Sequence, residues 1–274
     1  MARPTAGSYS SICNNMANNT HSLSLASASS QYAYREDVDC VNIGETGGTL
    51  PTLFMAWVKP VDDQHYCIAS KARGFDEGAA VGDGGFEFSI ISRTTDIAVP
   101  YLKLYQFQGT PPNFIGRVLI PTTGGVAPGQ WAHFAAFAYI TGTGPFTLHG
   151  RFYIDGAFLE DVTVGSSDQD VYDSNGADRF YVGVALGSDL NLYGLFNGQI
   201  DELHLRTAAD TTAADAYVSA NYRKCLTQTG NGFWHFNNDL TDDSGNANTL
   251  TGVNTPTYST SAFTCFVPKS AMIL

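Results

Sequence analysis

The chain has 274 residues, 43% of them hydrophobic and 15% charged, with 26 Asp and Glu against 14 Lys and Arg and a formal net charge of −12. That length can bury a sizeable core, as one large all-β domain or two smaller ones. The acidic balance, without any Lys/Arg cluster, excludes a nucleic-acid partner and a polybasic membrane anchor. No apolar run approaches the ~20 residues that span a bilayer, so no membrane partner is expected, and 12% aromatic residues exclude intrinsic disorder.

Residues 1–22 lack the apolar core of a secretory signal, so export without a cleaved signal, or no export, is expected. The five cysteines, Cys13, Cys40, Cys67, Cys225 and Cys265, are widely spaced and include no C-x-x-C pair. That pattern indicates neither a zinc cage nor a redox motif; reduced, mostly buried thiols are expected.

Short apolar and aromatic stretches then recur between Gly, Pro, Asn and Asp clusters, which predicts many short strands. Leu53 to Val58, Phe86 to Ile91 and Tyr101 to Phe107 are three of them. Phe86, Phe88 and Ile90 alternate with Glu87 and Ser89, as in a strand with one buried face. Trp131 to Ile140 is apolar on both parities; a helix competes there, but Pro128-Gly129 before it favours a strand covered on both sides. Asp155-Gly156 between TLHGRFYI and AFLEDVTV predicts a hairpin, because a type I′ turn needs positive φ at both central residues. Phe180 to Val184 and Ile200 to Arg206 supply further strands. A helix is predicted over 210–222, where Asp210 can cap the start and Ala214, Tyr217, Val218 and Tyr222 form an apolar stripe. Long loops are predicted over 74–85, 108–126 and 165–178. The expected fold class is all-β: a two-sheet antiparallel jelly-roll sandwich with one short helix near residues 210–222.

Four blocks in this order resemble the laminin-G-like, concanavalin-A-like lectin-glucanase jelly rolls. They are SLSLASASSQYAYRED (22–37), PTLFMAWVKP (51–60), QWAHFAAFAY with FYIDGAF (130–139 and 152–158), and FNGQIDELHLRTAADTTAADAYVSANYR (196–223). The resemblance covers most of the chain, and the fourth block is its most specific part. It implies an N-terminal arm over 1–21, a jelly roll over 22–223 and an extension over 224–274. Within that extension, FWHFNNDLTDDSGNANTL (233–250) is similar to the segment that normally opens such a unit. It either closes the same sandwich as a permuted strand or adds a strand to a neighbouring protomer.

The resemblance also implies a calcium site on the Asp of the I-D-E triplet, here Asp201, together with an Asp in the first block. That second place reads Ala26-Ser27. Strand parity with Leu203 and Leu205 points Asp201 inward, where it either bonds backbone amides or ligates calcium. Two acidic loops offer further calcium candidates: Asp168, Asp170 and Asp173 in one, Asp242 and Asp243 in the other. Their residue types are also those of tight turns, so no cofactor is required and calcium stays open as a possible ligand.

Glycosidases of this fold place paired carboxylates in an E-x-D-x-x-E pattern. The matching stretch, Gln199 to His204, has Gln and His at the outer carboxylate positions. The six histidines are scattered, no nucleophile motif is present, and no catalytic residues are expected. Glycan contacts are expected instead from loop aromatics: Tyr66, Phe75, Phe114, Tyr172 and Tyr193. Trp57, Trp131 and Trp234 are expected in the core. The expected function is that of a non-enzymatic binding or structural protein. A virion component, such as a phage capsid-decoration or tail protein docking on protein neighbours or its own copies through its arms, stands first. A carbohydrate-binding module acting extracellularly on a cell-surface glycan is the alternative.

Overall fold

A computed structural model describes residues 19–36, 51–72, 85–94, 97–107, 114–142, 146–167, 179–186, 191–223 and 231–263. Within them lie strands β1 (Ser22–Leu25), β2 (Tyr32–Arg35), β3 (Thr52–Pro60), β4 (Tyr66–Ala72), β5 (Phe86–Thr94), β6 (Ile97–Phe107) and β7 (Phe114–Leu119). They continue with β8 (Ala132–Thr141), β9 (Phe146–Ile154), β10 (Ala157–Ser167), β11 (Arg179–Val182), β12 (Ala185–Leu186) and β13 (Leu192–Tyr193). The last four strands are β14 (Gly198–Thr207), β15 (Gly232–Trp234), β16 (Thr251–Val253) and β17 (Thr257–Ser259), with helix α1 (Thr211–Asn221) after β14.

The strands form two large antiparallel sheets packed as a sandwich. The first runs β10-β9-β8-β3-β14-β1-β17, with β15 also on β14; the second runs β16-β2-β11-β4-β5-β6-β7. Side chains of alternating parity fill the space between them: Phe54, Phe86, Phe88, Phe134, Phe152 and Phe180 are all buried there. β8 is covered on both faces, as its sequence requires. Phe134 and Ala136 face the other sheet, while Ala135 and Phe137 meet Ala214 and Val218 of α1.

The Asp155-Gly156 hairpin joins β9 to β10 with φ of 50° and 79°, so both central residues are left-handed as the turn demands. A Cβ on Gly156 would lie 2.3 Å from the Tyr222 ring. Gly156→Ala is therefore expected to cost about 1–3 kcal/mol by urea unfolding, through steric overlap and backbone strain together. An unchanged midpoint would show that Tyr222 yields freely. Asp210 caps α1, its carboxylate accepting the Ala213 N–H at 2.8 Å. Arg151 of β9 grips Asp215 of the helix with two hydrogen bonds, at 2.8 and 2.9 Å, and Tyr153 donates a third at 2.7 Å.

Residues 232–259 belong to these sheets. β15 pairs with Leu203–Leu205 of β14 and β1 pairs with Gly198–Ile200 of the same strand, on one edge and in one direction. They lie end to end as a single strand interrupted opposite Asp201 and Glu202. Trp234 of β15 is fully buried and stacks on Phe180, ring centres 5.1 Å apart. β16 then joins the second sheet beside β2 and β17 the first sheet beside β1, so this hairpin bridges the sandwich at one side. Of the three tryptophans, Trp57 and Trp234 are buried, whereas Trp131 is half-buried at the mouth of β8. Cys67 is a free, buried thiol; the other cysteines lie outside the described residues.

Candidate binding site

The gap between β15 and β1 organises the site. Opposite it, β14 carries one residue more than β3: Asp201 pairs with Trp57 and His204 with Met55, so two residues oppose one. The extra residue is Glu202, at φ 49°, a left-handed conformation that a non-glycine residue adopts only under local compulsion. The bulge reverses side-chain parity. Ile200 before it and Leu203 after it both face the core, while Asp201 and His204 face outward beside Trp57 and Met55. The expectation that Asp201 shares an inward face with Leu203 and Leu205 is thus corrected, because parity arguments fail across a bulge.

Both ends of the interrupted strand are tied to this bulge. Asp201 accepts hydrogen bonds from the Asn19 amide at 2.7 Å, the Phe263 N–H at 3.1 Å and the Glu202 N–H at 2.9 Å. Its carboxylate is consumed in joining the segments next to both chain ends. Burial, and then the neighbouring Glu202 charge, push its pKa well above the ordinary carboxylate value. Glu202 pairs through Oε1 with His235 Nδ1 at 2.7 Å, both side chains being buried. Burial raises the Glu202 pKa, and the His235 contact offsets part of the rise. For His235, burial works downward but the Glu202 hydrogen bond and charge outweigh it, leaving the imidazole pKa raised.

Outside the bulge lies a small, open cleft between the outer face of the first sheet and the end of α1. Its aromatic walls are Trp57, Tyr217, Tyr222 and Phe233; His133, His204, Glu202 and Asn221 supply its polar lining. Trp57 is held in place by donating its indole N–H to the Tyr222 carbonyl at 2.7 Å, and Phe263 stacks flat on it at 3.5 Å. Three buried polar atoms of this lining make no hydrogen bond: His133 Nδ1, His204 Nε2 and Glu202 Oε2. Burial pushes the pKa of His133 down to about 3, and that of His204, with help from nearby Arg206, also to about 3. Both rings are therefore neutral at pH 7. Among the described residues no three His, Cys, Asp or Glu side chains are grouped so as to hold a metal ion.

The outer face of the second sheet carries another polar centre, already saturated. Glu87 accepts from Ser89 at 2.6 Å and from the Tyr193 hydroxyl, and meets His65 Nε2 at 2.7 Å. Burial acts to raise its pKa, but those partners together lower it. This buried carboxylate fastens β13 to the sheet and offers no free oxygen pair.

The sequence-derived candidates scatter over these surroundings. Tyr66 is a strand residue of β4, buried against Phe196 with its hydroxyl on Asp62, and is not a loop aromatic. Tyr193 is half-buried over Glu87. Asp242 accepts from the Phe233 N–H, the Ser244 N–H and hydroxyl, and the Asn248 N–H, building the turn that follows β15. Asp243 is partly exposed, 4.0 Å from His235 Nε2. Phe114 starts β7, and Asp168, Asp170, Asp173, Phe75 and Tyr172 lie outside the described residues. Among the cleft residues, Trp57 was expected only in the core. His133, His204, Tyr217 and Phe233 gave no functional signal in the sequence, since their meeting depends on a bulge, on strands β8, β14 and β15 and on α1.

No protein-family model matches the chain, and no curated protein matches it. Solved structures do. A SAP-like pentraxin from Limulus polyphemus superposes with a TM-score of 0.47 and 13% identity, over 73% of this chain and 80% of that one. The CBM40 domain of a Ruminococcus gnavus sialidase, bound to α2,3-sialyllactose, gives 0.40 and 10% over 69% and 97%. An endo-β-1,4-glucuronan lyase from Trichoderma reesei gives 0.38 and 14% over 69% and 79%. With polysaccharide lyases among the matched structures, the expectation of a chain without enzymatic activity is corrected: the fold carries catalysts as well as binding modules. By its two large antiparallel sheets, packed face to face with one helix beside them, the chain is an all-β sandwich of jelly-roll type.

Proposed function

We propose that this chain recognises carbohydrate, with the cleft between α1 and the first sheet as its contact site. The observation that carries this reading is the set of three unpartnered buried atoms, His133 Nδ1, His204 Nε2 and Glu202 Oε2, in a cleft walled by aromatic rings. Unsatisfied buried polar atoms cost about 1–3 kcal/mol each, and a ligand that bonds them recovers that loss. A sugar supplies both halves of the match: C–H faces for the rings and hydroxyls that donate and accept. Catalysis on the bound sugar is the second reading, favoured by two neutral imidazoles, one of them 3.4 Å from the Tyr217 hydroxyl. The particle-associated role expected from the sequence rests on composition and arms alone.

A glycan array followed by calorimetric titration tests the reading, using the full chain and its Tyr217→Ala and His204→Leu variants. Each substitution is expected to weaken glycan binding at least tenfold while the circular dichroism spectrum is retained. Full affinity in both variants would place the glycan elsewhere, and silence across the array would end the carbohydrate reading. Repeating the titration with EDTA tests whether calcium takes part. Following the bound glycan by chromatography tests turnover.

A further inference from the structure

Trp57 belongs to two neighbourhoods at once: it walls the cleft, and it carries the chain that follows β17. That chain leaves the sheet edge and crosses the outer face of the first sheet. Ser261 is caught from both sides of β14, its carbonyl accepting the Ser22 hydroxyl of β1 at 2.9 Å and its own hydroxyl meeting Lys59 Nζ of β3 at 3.4 Å. Since β14 lies between β1 and β3, residues 260–263 pass over Gln199 and Asp201. The Phe263 N–H then bonds Asp201 at 3.1 Å, and its ring lies on Trp57 with centres 3.5 Å apart and planes 8° from parallel.

This cover is lightly held. None of the four residues is fully buried, so little apolar area fastens them. Beneath and beside them, the side-chain amide oxygens of Gln199 and Asn19 are buried without a hydrogen-bond partner. Water would reach both if the chain lifted, and that gain offsets part of the loss of the segment's own hydrogen bonds. The ring stack is also the weaker form. At the van der Waals thickness of a ring pair, about 3.5 Å, the centres leave almost no offset, and two negative faces meet. A sugar presents C–H groups to an indole face and meets no such repulsion.

We propose that residues 260–263 form a displaceable strap, with Phe263 covering on Trp57 the ring face that a sugar takes once the strap lifts. The identity of the incoming group rests on the carbohydrate reading, and the strap rests on its own contacts. The two can fail separately.

The test uses the full chain and its Phe263→Ala variant, titrated calorimetrically with cellohexaose, laminarihexaose and maltohexaose, together with amide exchange at residues 260–263 read by NMR. Phe263→Ala is expected to bind at least one hexasaccharide fivefold or more tightly than the unaltered chain. In the unaltered chain the Phe263 amide is expected to exchange at least a hundredfold faster than the buried amides of β3, and faster again with the hexasaccharide bound. Affinity equal or lower in Phe263→Ala would overturn the strap, making Phe263 part of the site's wall, and would leave the carbohydrate reading standing. Should Phe263→Ala not fold, or should no hexasaccharide bind either protein, the exchange decides. A Phe263 amide as slow as those of β3 overturns the strap, and a fast one keeps it. Silence of all three sugars counts against the carbohydrate reading alone.

Discussion

Acidification from about pH 7.5 to about pH 5 is expected to remove roughly 2 kcal/mol of stability through each of His133 and His204. Both imidazoles have folded pKa values near 3, depressed by burial from an unfolded value of about 6.5. The unfolded chain therefore takes up protons that the native chain refuses. The stabilisation is fully present above about pH 6.5 and is lost as the pH falls from there toward 3. Asp201, Glu202, Asp243 and His235 act the other way: their raised pKa values stabilise the fold at low pH and lose that effect as the pH rises. The raw pH profile is thus a compromise, and a comparison isolates the histidines. Urea unfolding of wild type and His204→Leu at both pH values should show the variant losing about 2 kcal/mol less on acidification. Parallel losses would mean that His204 already accepts a proton in the folded state, and the cleft would then be wetter than its burial implies.

The second large effect concerns the pair that locks the bulge. His235→Ala is expected to cost about 3–5 kcal/mol near pH 7, since it leaves the Glu202 carboxylate buried without its counter-charge. Loss of the ring packed 4.3 Å from Phe233 adds to this. The cost should shrink at lower pH, where Glu202, its pKa already raised, takes up a proton. Glu202→Gly added to His235→Ala should restore more than half of the stability. It removes the stranded carboxylate and places at φ 49° the residue that adopts such a backbone without strain. A double variant as unstable as the two single losses combined would refute the coupling.

Several expectations held because they rest on local physics. The Asp155-Gly156 turn, the Asp210 cap and the alternation of Phe86, Phe88 and Ile90 each need only neighbours in sequence, and each is where it was predicted. The two-faced burial of β8 was legible for the same reason: apolar residues on both parities require cover on both sides. Asp201 shows where that logic stops. Period-two reasoning assumes an unbroken ladder, and the extra residue at Glu202 breaks it, at the place where β15 and β1 meet end to end on the opposite edge. Tyr66 was expected among the loop aromatics, yet cross-strand pairing with Ile90 draws it into the core.

Hydrophobic period, turn chemistry and capping act over a few residues, so the order of amino acids is enough to reach an acidic, all-β sandwich with one capped helix. That residues 232–259 complete both sheets, and that His133, His204 and Glu202 line one cleft, follows from long-range pairing. His133 comes from β8 and Glu202 and His204 from β14, and only sheet register and a single bulge bring them together.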